Sequence, residues 1–270
     1  MTLGFLGTGA ITEAIVTGLS EPGGPAQPIW LSPRNATLAA ALAARYENVS
    51  VCQSNQAVLD ASDTVVLAVR PQVASEVLSQ VHFSPAHTVI SLIAGFPTPR
   101  LADLVRPATR ISRAIPLPST AQRRSPIAAY PARSAAAALF APLGQVFELE
   151  IEDHLNAFST ATSTMAAYFA FMGQISAWVA AQGIPEQQAR QYIAQLFAGL
   201  AGTGLETAEI SPAELAAAHS TPGGLNEQVL RHLTSHGVFN ILTDALDAVH
   251  RRASGASSWK DAPATSPKSE

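Results

Sequence analysis

Gly7 and Gly9, set between an apolar run and a helix-like stretch, are the positions in this sequence best placed to hold an anion. Leu3-Gly4-Phe5-Leu6 reads as a buried strand, and residues 12–19, with Ala14, Ile15, Val16 and Leu19 apolar, as the helix after it. A strand that turns sharply into a helix aims backbone N–H groups and the positive helix end at one point. Gly7 permits the tight turn because it lacks Cβ, and Gly9 lets the backbone approach phosphates closely. The expected occupant of Gly7, Thr8, Gly9, Ala10 and Ile11 is the pyrophosphate of a dinucleotide. The third small position of the fingerprint falls at Thr12, so the match is partial.

A second chemical cluster, Ser32-Pro33-Arg34-Asn35, follows the strand expected at residues 29–31. An NAD site usually places a carboxylate here for the ribose hydroxyls. This chain offers a hydroxyl, a guanidinium and an amide, which suit a 2′-phosphate, with Arg34 as the charge-matched donor. The cofactor expected is therefore NADP(H) in preference to NAD(H).

Strands alternating with helices must position these groups. Further strands are expected at 49–51, 64–69, 87–93, 110–115 and 127–129. Helices are expected at 36–46, 55–59 and 73–81, from a Thr98-Pro99 cap through Val105, and at 132–143 between later strands. That alternation implies an α/β fold, an open, mainly parallel sheet covered on both faces. It stops near residues 150–153, and the rest reads as helical: one long helix over 154–182, a break at Gly183-Ile184-Pro185, a helix over 186–202, a Ser211-Pro212-Ala213-Glu214 capping box, then 226–235 and 239–252. The domains expected are 1–152, nucleotide-binding, and 153–253, helical, followed by a disordered tail at 254–270 in which Trp259 has no evident partner.

Bulk properties narrow the function. Charged residues make up only 13% of the 270, a scarcity that implies surface hidden between subunits. A net charge of −4 excludes a polyanion-binding field, so no nucleic-acid partner is expected. The one cysteine, Cys52, fits a reducing compartment, and no basic segment precedes the first apolar run, so a cytoplasmic location is expected. Residues 155–185 carry no Asp, Glu, Lys or Arg, yet Ser, Thr, Asn and Gln crowd them, so a buried soluble helix is expected rather than a membrane span. His232 and His236 lie one helical turn apart with no third ligand in view, so no metal is expected.

The ordered set Gly-Phe-Leu-Gly-Thr-Gly-Ala (4–10), Ser-Pro-Arg-Asn (32–35), Asn55, Ala-Val-Arg-Pro-Gln (68–72), Ser91 with Ala94-Gly95, Arg-Ala-Ile-Pro (113–116), Ala167-Tyr168 and Thr-Pro-Gly-Gly (221–224) resembles the pyrroline-5-carboxylate reductase family, which makes proline with NAD(P)H. The resemblance implies a Rossmann-type doubly wound sheet followed by an all-helical dimerisation domain, hence a homodimer or higher homo-oligomer. It also implies cofactor contacts at Asn55, Ala68, Val69, Arg70 and Pro71.

Substrate-side motifs depart from that family. Its Met-Pro-Asn reads Ile115-Pro116-Leu117, its Ser-Gly-Ser-Gly-Pro-Ala-Tyr reads Thr162-Ser163-Thr164-Met165-Ala166-Ala167-Tyr168, and its Ser-Pro-Gly-Gly-Thr-Thr reads Thr221-Pro222-Gly223-Gly224-Leu225-Asn226. Hydride addition to a protonated C=N bond needs donor and acceptor held close with water excluded, and no obligatory base. The expected substrate is a small cyclic imine carrying a carboxylate. Free N–H groups of Gly223 and Gly224 would meet that carboxylate, Met165 and Leu225 would shape the pocket, and Asn226, Ser163 and Thr164 would supply the polar contacts at the reacting group. Reduction of another imine or carbonyl, or non-catalytic NADPH binding by a regulatory protein, are the alternatives. A β-hydroxyacid dehydrogenase is disfavoured because no lysine precedes Lys260.

Overall fold

The computed structural model describes residues 1–25 and 27–255. These divide into two compact units, one holding Met1–Ser159 with the described residues from His250 onward, the other Thr160–Val249. The tail expected to be disordered lies, from residue 256 on and including Trp259, outside the described residues.

The first unit is built on an eight-stranded sheet in the order β3-β2-β1-β4-β5-β6-β7-β8. The strands are β1 (Leu3–Leu6), β2 (Ile29–Leu31), β3 (Val49–Val51), β4 (Thr64–Leu67), β5 (Thr88–Ser91), β6 (Arg110–Ile115), β7 (Ser125–Tyr130) and β8 (Gly144–Glu148). The first six are mutually parallel, β7 runs antiparallel to β6, and β8 parallel to β7. The helices of this unit are α1 (Ala10–Ser20), α2 (Ala36–Arg45), α3 (Asn55–Asp60), α4 (Pro71–Ser79), α5 (Thr98–Leu104) and α6 (Ala135–Phe140).

Strand periodicity divides the core in two. Phe5, Leu31, Val66 and Ile90 join Ile15, Leu19 and Phe140 in one cluster. Leu6, Val65, Leu67 and Val89 join Leu59, Leu78 and Leu101 in the other. Successive side chains of one strand point to opposite faces, so a run such as Thr64-Val65-Val66-Leu67 feeds both clusters and must be apolar almost throughout.

Two local devices fix the ends of this layer. Gly18 packs so closely on the turn after β6 that a Cβ there would lie 2.4 Å from the Thr120 carbonyl oxygen. From the same turn, Arg123 donates to the C-terminal carbonyls of α1, through Nε to Gly18 (2.8 Å) and Nη2 to Glu21 (2.6 Å). Those are the acceptors a helix C-terminus otherwise leaves unpaired.

The chain then continues as α7 (His154–Thr162), α8 (Met165–Ala180), α9 (Glu186–Glu206), α10 (Pro212–Ala218), α11 (Leu225–Ser235) and α12 (Val238–Ala253). The second unit holds little core. Ser176, Ala189 and Ile193 are buried, whereas Trp178, Tyr192, Phe169 and Leu205 are each more than 60% exposed. Phe197 meets the rings of Tyr168 and Phe171 edge-on. No helix among the described residues is long and apolar enough to cross a membrane.

Several sequence expectations need correction. The stretch 154–182 is two helices, because the Ser163 and Thr164 hydroxyls donate to the Thr160 and Ala161 carbonyls (2.7 Å each) and their amides make the same three-residue step. That tightens the turn and ends α7. Thr98 is not a cap: Pro97 holds that position, and the Thr98 hydroxyl is engaged by Glu152. The helix expected over 132–143 starts at Ala135, where the Ser134 hydroxyl accepts from the Ala137 amide, and tightens to a 3-10 turn over Ala141–Leu143. The short run of β8, with its exposed Phe147 and Glu148, carried no alternation strong enough to mark it as a strand.

Candidate functional site

The carboxyl edge of the parallel strands brings together the segments after β1, β2, β4 and β5. This crevice, beside the strand where the order reverses, is where sheets of this kind take ligands. Gly7 has φ +103°, and a Cβ there would lie 2.5 Å from the Ala68 carbonyl oxygen, so both the turn and the neighbouring strand require glycine. Gly9 is different. It caps α1 in extended conformation, and a Cβ would meet nothing within 4 Å, so the space it guards is open. The first intrahelical bond of α1 runs from the Glu13 amide to Gly9, which leaves the amides of Ala10 and Ile11 facing that space without an intrahelical partner. Thr12 is fully buried and donates its hydroxyl to the Gly7 carbonyl (2.7 Å), which accommodates the bulkier residue at the third fingerprint position.

The cluster after β2 divides in a way the sequence did not reveal. The Ser32 hydroxyl, 1% exposed as a residue, accepts the Gly7 N–H (2.9 Å). The Thr8 hydroxyl donates to the Ser32 carbonyl (2.9 Å). The Asn35 amide donates to the Thr8 carbonyl (3.0 Å), and its oxygen caps α2 by accepting from Leu38. Ser32 and Asn35, expected as phosphate ligands, are thus engaged within the protein. Arg34 is exposed, and among the described residues its side chain has no hydrogen-bond or ion-pair partner. Of the remaining expected contacts, Ala68 and Val69 follow β4 and are half-buried, Arg70 is exposed and caps α4, Pro71 opens α4, and Asn55 opens α3 beside its Ser54 cap. These residues fit a dinucleotide: a glycine turn open at Gly9, first-turn amides with no intrahelical partner and an exposed cation.

Further along the same edge, Ser91, Ile93, Gly95, Arg113, Leu155 and Asn156 line a cavity of about 60 Å³. Arg113 is buried in its wall and donates Nη1 to Glu152 Oε1 (2.7 Å); the Thr98 amide and hydroxyl reach the same oxygen at 2.7 Å each. Burial pushes the Glu152 carboxyl upward, but the bonds from Arg113 and Thr98 outweigh it and hold it below the usual range. Sequence reading missed this anchor. An arginine inside an apolar strand does demand a carboxylate partner, but nothing local says which.

In the helical unit, the loop ahead of α11 is closed on itself. Gly223 has φ +73°, its N–H donates to Glu227 Oε2 (2.7 Å), and the Gly224 N–H donates to the Thr221 carbonyl (2.8 Å). The expectation that both amides stand free is therefore corrected: a side chain in the first turn of α11 satisfies the first and the loop backbone the second. Asn226 donates to the His219 carbonyl (2.9 Å), and Ser163 and Thr164 are back-bonded as described. Met165 is 42% and Leu225 82% exposed. Among the described residues no three His, Cys, Asp or Glu gather to hold a metal; His232 and His236 stack at 4.2 Å.

Comparison with known proteins matches residues 2–95 to a family model described as NADP oxidoreductase, coenzyme F420-dependent. Residues 152–256 match one described as pyrroline-5-carboxylate reductase dimerisation. The chain is 29% identical to the pyrroline-5-carboxylate reductase of Vibrio alginolyticus over 93% of its own length and 96% of that protein's. The solved pyrroline-5-carboxylate reductase of Coxiella burnetii superposes with a TM-score of 0.79 at 25% identity, covering 95% of this chain and 98% of that one. In fold it is also similar to the Plasmodium falciparum pyrroline carboxylate reductase solved with NADP bound (TM-score 0.80, 16% identity, 96% and 98% covered).

Proposed function

We propose, from the premise that this chain belongs to the pyrroline-5-carboxylate reductase family, that it reduces a cyclic imine with NADPH. As a member of that family it is a nicotinamide-dinucleotide-dependent oxidoreductase acting on CH–NH bonds. The finer reading names the phosphorylated dinucleotide and an imine of the pyrroline-5-carboxylate type, as in proline biosynthesis. The observation that carries it is the open glycine turn of α1 with Arg34 exposed in the loop beside it.

In this reading the Gly7–Ile11 turn and the first-turn amides of α1 hold the pyrophosphate, and Arg34 holds the 2′-phosphate. Asn55 and the Ala68–Pro71 segment complete the cofactor wall. Bound there, reduced nicotinamide supplies the hydride. The chain's own part is to hold the imine, already protonated and so electrophilic, in reach and to exclude water. Ser163, Thr164 and Asn226 orient it, Met165 and Leu225 restrict its shape, and its carboxylate competes with Glu227 for the Gly223 amide. The exposed aromatic face of α8 and α9 supports a homodimer through the helical unit. A cytoplasmic location belongs to the same proposal.

The bond between Glu227 and Gly223 favours a second reading, an imine or carbonyl substrate without a carboxylate. NADPH consumption with pyrroline-5-carboxylate and with 1-pyrroline, which lacks the carboxylate, separates the two. Faster turnover of the carboxylated imine supports the first reading, and the reverse order the second. Tight NADPH binding with no turnover of any imine or carbonyl defeats both and leaves a binding protein.

A further inference from the structure

The hydrogen bonds between the two cofactor loops assign Ser32 and Asn35 a task different from touching the cofactor. Ser32 is 1% exposed and Thr8 5%, so a phosphate reaching the Ser32 hydroxyl would have to open the loop that buries it. That hydroxyl accepts the Gly7 N–H at 2.9 Å. The Thr8 hydroxyl donates back to the Ser32 carbonyl at 2.9 Å, and the Asn35 amide holds the Thr8 carbonyl at 3.0 Å. Each bond joins the glycine turn after β1 to the segment after β2, across more than 20 residues of sequence. A glycine turn is the least self-constrained backbone in a protein, so its alignment must come from outside. Here it comes from the neighbouring loop.

We infer that Ser32 and Asn35 are positioning residues that set the glycine turn for the pyrophosphate, and that discrimination between the phosphorylated and unphosphorylated dinucleotides rests on the Arg34 side chain. This rests on the dinucleotide reading above and deepens it. A positioning residue acts on the part common to both dinucleotides, so its removal weakens both alike. A ligand of the 2′-phosphate acts on one.

The experiment measures dissociation constants for NADPH and NADH by nicotinamide fluorescence in the full chain and in Ser32→Ala, Asn35→Ser and Arg34→Ala. Asn35→Ser keeps an oxygen to cap α2 while removing the amide donor, which guards against a variant that merely unfolds, and melting curves check each protein. Ser32→Ala and Asn35→Ser should each weaken both dinucleotides by a common factor of about 5. Arg34→Ala should weaken NADPH by about 20-fold and leave NADH unchanged. A selective loss of NADPH in Ser32→Ala or Asn35→Ser overturns the inference, as does no loss for either dinucleotide. If the unsubstituted protein binds neither, the dinucleotide reading itself falls and takes the inference with it.

Discussion

Two glycine turns in this chain lead into helices, and they end in opposite states. The turn before α1 is fastened from behind, by Ser32, Thr8 and Asn35, and its forward space at Gly9 stays open. The turn before α11 is filled from the front, with Glu227 on the Gly223 amide and Asn226 on the His219 carbonyl. Both look like anion sites by their local sequence. Which one stays open is decided by side chains placed elsewhere: a buried neighbouring loop in one case, a first-turn carboxylate in the other. The same contrast holds for the surrounding units. The first buries two clusters on its sheet, whereas the second leaves its largest aromatic side chains in the open and is completed, on our proposal, by another copy.

The sharpest way to break this comparison is at Gly7. Gly7→Ala places a Cβ against the Ala68 carbonyl at a positive φ, so it should cost about 3 kcal/mol or more of stability and abolish dinucleotide binding together. A soluble variant with an unchanged melting temperature would show that the turn does not pack against the Ala68 carbonyl. Glu152→Ala, which leaves buried Arg113 unpaired, should cost about 3 kcal/mol in denaturant titration, an effect specific to the first unit.

The same carboxylate gives a pH test. Because the folded Glu152 carboxyl is held below its unfolded value, its contribution is fully present above an unfolded value of about 4.3 and is lost as pH falls through the depressed folded one. Wild type should therefore lose stability on acidification more steeply than Glu152→Gln, and parallel curves would contradict the anchor. Gly9→Ala, whose added methyl meets only open space, should leave the melting temperature alone yet weaken both dinucleotides by about tenfold. The smallest effect belongs to the filled turn. Glu227→Gln should lower KM for a carboxylated imine by about threefold with kcat little changed, since a charge is removed from the amide that, on our proposal, the substrate carboxylate meets. A raised KM would mean that Glu227 shapes the loop rather than competes for it.

Much of the fold was legible because its signals are local. The strand of Thr64-Val65-Val66-Leu67, the turn at Gly7 and the capping box at Ser211, whose hydroxyl accepts from Glu214 and whose amide donates to it, all follow from residues a few positions apart. The break at Ser163 and Thr164 was not, because hydroxyls mid-helix and at a helix end read alike in sequence. The candidate site was legible as a set of residue types but not as a division of labour. That Ser32 faces inward and Arg34 outward depends on the pairing of β2 with β1, and that Arg113 meets Glu152 depends on chain 39 residues away.

The grip of Arg123 on the far end of α1 bears on how the protein is made. The helix whose leading amides, on our proposal, meet the pyrophosphate has its trailing carbonyls satisfied by a residue more than 100 positions downstream. During translation, a nascent chain released before that arginine emerges would own the whole glycine turn yet hold it on a fraying helix. Cofactor capture should therefore begin late in synthesis, and any minimal nucleotide-binding fragment must extend beyond Arg123 rather than stop at the last parallel strand.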